Sequence, residues 1–194
     1  MDTLTPQQKL VQVALRLQRV AVPLARTYMA RQAELGLAKV LTEERLSSLA
    51  GIDASLAAID ALEALDAWHR AGWERWMVEA TRLYTAVLAE FPEPQRALES
   101  APLMGALQRE MQARHRENAA RDDWVDAARR VCALARRGRE IDAHTPGIVL
   151  ADDADIAEFE RQLARVDAVA ALQQAQFEER AARIQAGMDR LGAH

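Results

Sequence analysis

One cysteine in 194 residues, Cys132, leaves the chain unable to form an internal disulfide, and a chain this long needs none. At that length a single domain buries roughly two-thirds or more of the surface its unfolded form exposes. The opening residues hold no charged segment followed by an apolar one, so the expectation is a reducing, cytoplasmic setting. Long hydrophobic runs are missing too. The most apolar piece, Val11 to Ala25, carries Gln12, Arg16, Gln18 and Arg19, which argues against a membrane span. Strongly basic character is absent: the net charge is −4, a poor starting point for a dedicated nucleic-acid binder. Glycine and proline are sparse, with eight and six residues, and without strands alternating with helices a two-glycine phosphate loop has no host. There is no sequence repeat of 20–50 residues, no low-complexity tail and no linker long enough to separate a pair of domains, so residues 1–194 read as one domain.

What fills the chain is helical spacing. Thr5, Pro6 and Gln8 form a capping-box start, and Leu10, Ala14, Leu17, Ala21, Leu24 and Tyr28 carry an apolar stripe to about Gly36. Pro23 predicts a kink there rather than a stop, because the spacing stays in phase on both sides. Leu37 to Leu41 can prolong this helix. Thr42, Glu43 and Glu44 start a short helix expected to end near Gly51, and Asp53 then caps the longest uninterrupted pattern, ending at Phe91-Pro92-Glu93-Pro94. At most one or two turns fit between Pro94 and Ser100. Ser100 and Pro102 start another long segment that finishes before Thr145-Pro146-Gly147, and Ile148-Val149-Leu150 reads as an apolar plug over one end of the bundle. Asp152 or Asp153 opens the last helix, where Ile156, Phe159, Leu163, Val166, Ala170, Gln173, Phe177, Arg180, Ile184, Gly187 and Leu191 keep the three-four spacing. Segments of about 38 residues span about 57 Å at 1.5 Å per residue. The expected fold is all-α: an elongated, largely antiparallel bundle of four long helices, the first kinked, with one or two short ones.

The seam of the tryptophan helix is Ile59, Leu62, Asp66, His69, Trp73, Trp76, Ala80, Leu83 and Val87, and two of those positions are polar. Asp66 and His69 share a face three residues apart. That spacing is half of a carboxylate-bridged di-metal site, but no second acidic-x-x-His copy exists among His115, His144 and His194, so no metal or cofactor is assigned. A buried pair answered by a polar residue on another helix, such as Gln173, is the simpler reading. Trp68 lies off the seam and is a candidate contact residue. The polar stretch around Arg114, His115, Arg116 and Arg121 implies a helix that projects or bends, and Gln173 with Arg180 weakens the last seam in the way of residues that set register, which suits a homodimer. Arg129, Arg130, Arg136, Arg137 and Arg139 form a candidate anion patch around Cys132, although Glu140, Asp142, Asp152 and Asp153 lie close enough in sequence to neutralise it. The phase of Cys132 with Val125, Ala128 and Ala135 makes it a small buried hydrophobe rather than a reactive thiol.

No catalytic constellation is legible. The expectation is therefore a non-enzymatic bacterial interaction protein: an adaptor, a chaperone-like protein or a structural component. One alternative is a helical enzyme or sensor with a small-molecule or metal pocket around Asp66, His69, Trp73 and Trp76. The other is a regulator binding nucleic acid through residues 129–139.

Overall fold

The chain folds as helices joined by short turns. The computed structural model describes residues 4–192, with the side chains of the last helix described to residue 172 and at 174, 175 and 178. The helices are α1 (Pro6–Glu34), α2 (Glu43–Leu46), α3 (Leu49–Leu88), α4 (Glu93–Ile141) and α5 (Asp153–Gly192), with a 3-10 turn at Leu37–Lys39. No strand occurs among the described residues, and the fold is an all-α bundle with four long helices. None of the described helices is long and apolar enough to cross a membrane.

The ends follow local chemistry. Thr5 accepts from the Gln8 amide and the Gln8 side chain accepts from the Thr5 amide, which satisfies two donors that open α1. The helix runs through Pro23 and is bent. Asp152 caps α5 by accepting from the Asp155 amide at 2.9 Å.

Two boundaries differ from the spacing argument. The tryptophan helix starts at Leu49, four residues before Asp53, because Ser48 is its cap and accepts from the Gly51 amide at 3.1 Å. Gly51 is no terminator. A Cβ there would stand 2.2 Å from the Arg45 carbonyl oxygen, so glycine is what lets α2 turn directly into α3. The second difference is Pro102, which lies inside α4 rather than at the start of a new helix. Its ring cannot donate to the carbonyl one turn earlier, on Leu98, but Leu98 is exposed and water can serve that carbonyl. The polar residues 114–123 likewise remain helical.

Contacts divide the chain into two compact units whose boundaries fall inside α3 and inside α4. Unit 1 comprises Met1–Leu37 and Asp60–Gln112. In it α1 and α3 run antiparallel, as Lys9–Glu90, Arg16–Glu79 and the Tyr28–Asp66 hydrogen bond show by rising along one helix while falling along the other. Its core gathers Val13, Leu17, Met77, Ala80, Leu88, Phe91 and Leu107, with Trp73, Trp76 and Leu83 packed against them. Unit 2 comprises Ala38–Ile59 and Ala113–His194. There α4 and α5 are antiparallel, paired through Arg137–Asp155, Arg130–Glu158 and Arg165–Asp126.

Its core is built on small residues of α4, since Ala127, Ala128, Val131, Cys132 and Ala135 are all buried. Small side chains let neighbouring backbones come close, and Gly138 takes this furthest: a Cβ there would lie 1.9 Å from the Val149 carbonyl oxygen. The Ile148-Val149-Leu150 run thus crosses directly over the last turn of α4, half-buried and without strand pairing. Ser55 supplies the one buried hydroxyl link of this unit that is described, donating to the Val40 carbonyl at 2.7 Å.

Candidate functional site

The two polar residues in the α3 seam point inward, and α1 answers them. Asp66 is 6% exposed. The Tyr28 hydroxyl donates to its Oδ1 at 2.7 Å, within a buried contact. The Tyr28 ring also lies against the His69 ring, with centroids 4.3 Å apart and planes tilted by 33°. One tyrosine therefore meets both members of the pair. This follows from helix geometry: positions 66 and 69 share a face, and the last full turn of α1's apolar stripe ends at Tyr28. A tyrosine is the residue that can continue an apolar stripe with its ring while offering one donor at its tip. Close packing of α1 on α3 persists below the pair, where a Cβ on Gly72 would come within 2.8 Å of Leu24 Cδ1.

The neighbouring tryptophans are engaged as well. Trp76 donates its indole N–H to the Leu17 carbonyl at 3.0 Å, and Trp73 packs on the unit 1 core. Trp68 stands apart at 36% exposure, with the Arg31 guanidinium 5.4 Å over its ring, a cation–π contact at the surface. No group of three or more His, Cys, Asp or Glu side chains among the described residues is arranged to hold a metal ion.

The arginine-rich end of α4 belongs to unit 2 and is occupied from within. Arg136 pairs with Asp53, Arg137 with Asp155, and Arg130 with Glu158 at 3.6 Å. Arg129 also has a partner. Arg139 is buried, and its Nη1 donates to the Thr145 carbonyl at 2.7 Å and, at longer range, to those of Asp142 and Ala143. Its Nη2 donates to the Gly147 carbonyl. It serves as a staple that ties the carbonyls of the loop from 142 to 147 to the end of α4. Asp142 organises the same loop by accepting from the His144 and Thr145 amides at 2.9 and 3.1 Å and from the Thr145 hydroxyl. Those donors, the Thr145 hydroxyl foremost, hold its carboxyl down at about 2.

Cys132 is fully buried. Burial pushes its thiol up to about 11, against the opposing pull of Arg129 and Arg136. The guanidinia that suggest an activated thiol are therefore outweighed by desolvation.

In the polar stretch, His115 and Arg116 are exposed, whereas Arg114 is half-buried and paired with Glu117 at 3.2 Å. Arg121 is half-buried, and burial lowers its pKa against the pull of Asp122. The side chains of Gln173 and Arg180 lie outside the described residues. Trp124, which follows this stretch, is half-buried in unit 2.

α1 also has apolar residues on its water-facing side. Val11, Leu15 and Met29 are 59%, 51% and 67% exposed. Their heptad-compatible spacing carries the signal, but the inner stripe from Leu10 to Tyr28 already accounts for the helix and conceals a second one.

Compared with protein-family models, with curated proteins and with solved structures, the chain matches nothing.

Proposed function

We propose that this chain is a non-enzymatic helical interaction protein of the bacterial cytoplasm, an adaptor, chaperone-like protein or structural component of a larger assembly, acting through protein–protein contacts. The observation that supports it most is the apolar side of α1, where Val11, Leu15 and Met29 stand in water along one helix. Single exposed apolar residues are ordinary, but several aligned on one helix mark a surface that a partner covers. The polar groups that would serve a reaction are otherwise engaged. Asp66 is bonded to Tyr28, Trp76 to a backbone carbonyl, and Cys132 is held as a thiol. Arginine outnumbering lysine, with 23 of the 25 basic residues, and a lone buried thiol accord with a bacterial, reducing setting.

The test is capture of the tagged full chain from its own organism after brief crosslinking, with a Val11→Glu/Leu15→Glu variant beside it. A stoichiometric protein partner is the expected result. Recovery of the chain alone would sink the reading, and measurable turnover of a small molecule by that partner-free chain would put an enzyme in its place.

A further inference from the structure

The exposed side of α1 is a second heptad seam. Val11, Leu15, Gln18, Val22, Ala25 and Met29 alternate spacings of four and three, and Gln8 extends the series toward the N-terminus. The inner stripe of Leu10, Ala14, Leu17, Ala21, Leu24 and Tyr28, of which Leu17 and Tyr28 are buried, Leu10, Ala21 and Leu24 half-buried and Ala14 exposed, obeys the same alternation one residue earlier. At 3.6 residues per turn a shift of one residue is a rotation of about 100°. α1 therefore carries two seams side by side. Its inner one packs within unit 1; of the outer one, Val11, Leu15, Gln18 and Met29 are exposed and Val22 and Ala25 half-buried.

Charge on the helix says what covers the outer seam. From Thr5 to Ala33 the basic residues are Lys9, Arg16, Arg19, Arg26 and Arg31, and there is no acid, although the chain as a whole is at −4. Lys9 is turned to Glu90, just past the end of α3, and Arg16 and Arg31 to Glu79 and Trp68 of α3. Arg19 and Arg26 are exposed and face no carboxylate among the described residues. They occupy one flank of the outer seam a heptad apart, each just after a seam residue, which is where coiled-coil helices place the charges that choose a partner. A second copy of α1 laid along residues 8–29 would bring a stretch with no acid against a stretch with no acid, the one acid of the helix being Glu34 at its end, and like charges at such positions repel. A flat anionic bilayer would meet only two free guanidinia and a narrow stripe broken by Gln8 and Gln18, whereas membrane-surface helices set a broad apolar face between basic flanks.

We infer that the outer seam of α1 docks one acidic amphipathic helix of another protein, laid along residues 8–29 with its carboxylates opposite Arg19 and Arg26. The docked length is about 33 Å at 1.5 Å per residue. Gln18 would fix its register, together with the side-chain nitrogen of Gln8, whose oxygen is held by the Thr5 amide, since a polar residue buried in a seam needs a polar residue across from it. This inference rests on the interaction reading above and names its partner class.

The probe is a synthetic heptad peptide of about four heptads with Leu in its seam, Gln at the two positions facing Gln8 and Gln18, and Glu on both flanks. A counterpart carries Lys on the flanks. Titrated against the full chain by fluorescence anisotropy, the acidic peptide should bind one to one and the lysine peptide should not. Val11→Glu/Leu15→Glu should weaken the acidic peptide at least tenfold, and Arg19→Glu/Arg26→Glu at least fivefold while admitting the lysine peptide. All four positions are exposed, and unchanged circular dichroism and thermal midpoints of the variants would confirm that the fold is retained. Absent or equal binding of the two peptides, a homodimer that the Val11→Glu/Leu15→Glu variant dissolves, or retention on phosphatidylserine vesicles without peptide binding would each overturn the inference. Cellular capture distinguishes failure of this seam from failure of the interaction reading. A partner held equally by wild type and by Val11→Glu/Leu15→Glu removes the seam and leaves the interaction reading, whereas no partner for either removes both.

Discussion

Replacing Tyr28 by Phe removes one oxygen and nothing else from the contact that joins α1 to the polar pair of α3. The ring stays, so its 4.3 Å stacking on His69 and its own burial are kept. What is lost is a 2.7 Å hydrogen bond to Oδ1 of a carboxylate that is 6% exposed. A hydrogen bond to a charged group contributes about 1.5–3 kcal/mol, against ~1 for a neutral pair, so Tyr28→Phe should destabilise unit 1 by about 1.5–3 kcal/mol. At ~2–4 °C per kcal/mol for a chain of this size, the midpoint should fall by roughly 3–12 °C. Trp68, Trp73 and Trp76 lie in unit 1 and Trp124 in unit 2, so urea unfolding followed by fluorescence in a Trp124→Phe background reports unit 1 separately. A cycle with Asp66→Asn should return a coupling of at least about 1 kcal/mol, the range of residues in direct contact. A Tyr28→Phe variant within ~0.5 kcal/mol of wild type, or a coupling near zero, would refute the claim that Tyr28 locks the pair.

Three further outcomes concern groups in unit 2. With its thiol pushed up to about 11, Cys132 should be ionised at about one part in a thousand at pH 8, roughly a hundredfold below an ordinary thiol. Iodoacetamide labelling should therefore be absent in the folded chain and rapid in concentrated guanidinium; rapid labelling of the native protein contradicts the burial. Arg139→Ala should cost about 3 kcal/mol or more, because a buried guanidinium and its bonds to the loop carbonyls are lost together, whereas Arg136→Ala at the exposed ion pair should cost under about 1 kcal/mol. Equal losses in urea titrations would remove the staple role. Asp142 has its carboxyl held down at about 2 from an unfolded value of 3.8, so its contribution is complete above about pH 4 and is lost as the pH falls through 2. Protection of the His144 and Thr145 amides relative to their intrinsic exchange rates should fall across that window in the wild type, and in Asp142→Ala it should be lost already at neutral pH.

The spacing of apolar residues is enough to read four long helices, because three-four periodicity sustained over many turns has few other solutions. It fails where two signals compete at one residue. Gly51 reads as a helix end by its flexibility, yet it sits in the first turn of α3 because Ser48 caps that turn and Arg45 leaves no room for a side chain. Pro102 reads as a start, yet α4 passes through it, since the freed carbonyl faces water. The candidate site is half legible. Asp66 and His69 announce themselves as polar residues in an apolar seam, but the partner of Asp66 is 38 residues away, and Tyr28 fits the inner stripe of α1 as well as any leucine would. Sequence separation hides such a pair from any local argument. The arginine cluster misleads in a different way: five cations close in sequence radiate around a helix, and each meets its own partner.

The two sides of α1 have different tasks. The inner side carries the specificity of unit 1. Leucines alone would tolerate a slip of one turn along α3, but the Tyr28–Asp66 bond and the Trp76–Leu17 bond are each satisfied at one register only. That register also sets which α1 residues face outward, because a one-residue rotation exchanges the two seams. A helix rotated by about 100° would bury Val11 and Leu15 and expose Leu10 and Leu17, an exchange of apolar for apolar groups except that Gln18 would be buried as well. The polar contacts add to that preference for the observed rotation. Tyr28→Phe combined with removal of the Trp76 donor in Trp76→Phe should thus reduce binding of the acidic peptide even though neither residue belongs to the outer seam. If instead peptide affinity is unchanged while unit 1 is destabilised, packing volume alone holds α1 in place, and the buried polar pair contributes stability without orienting the docking face.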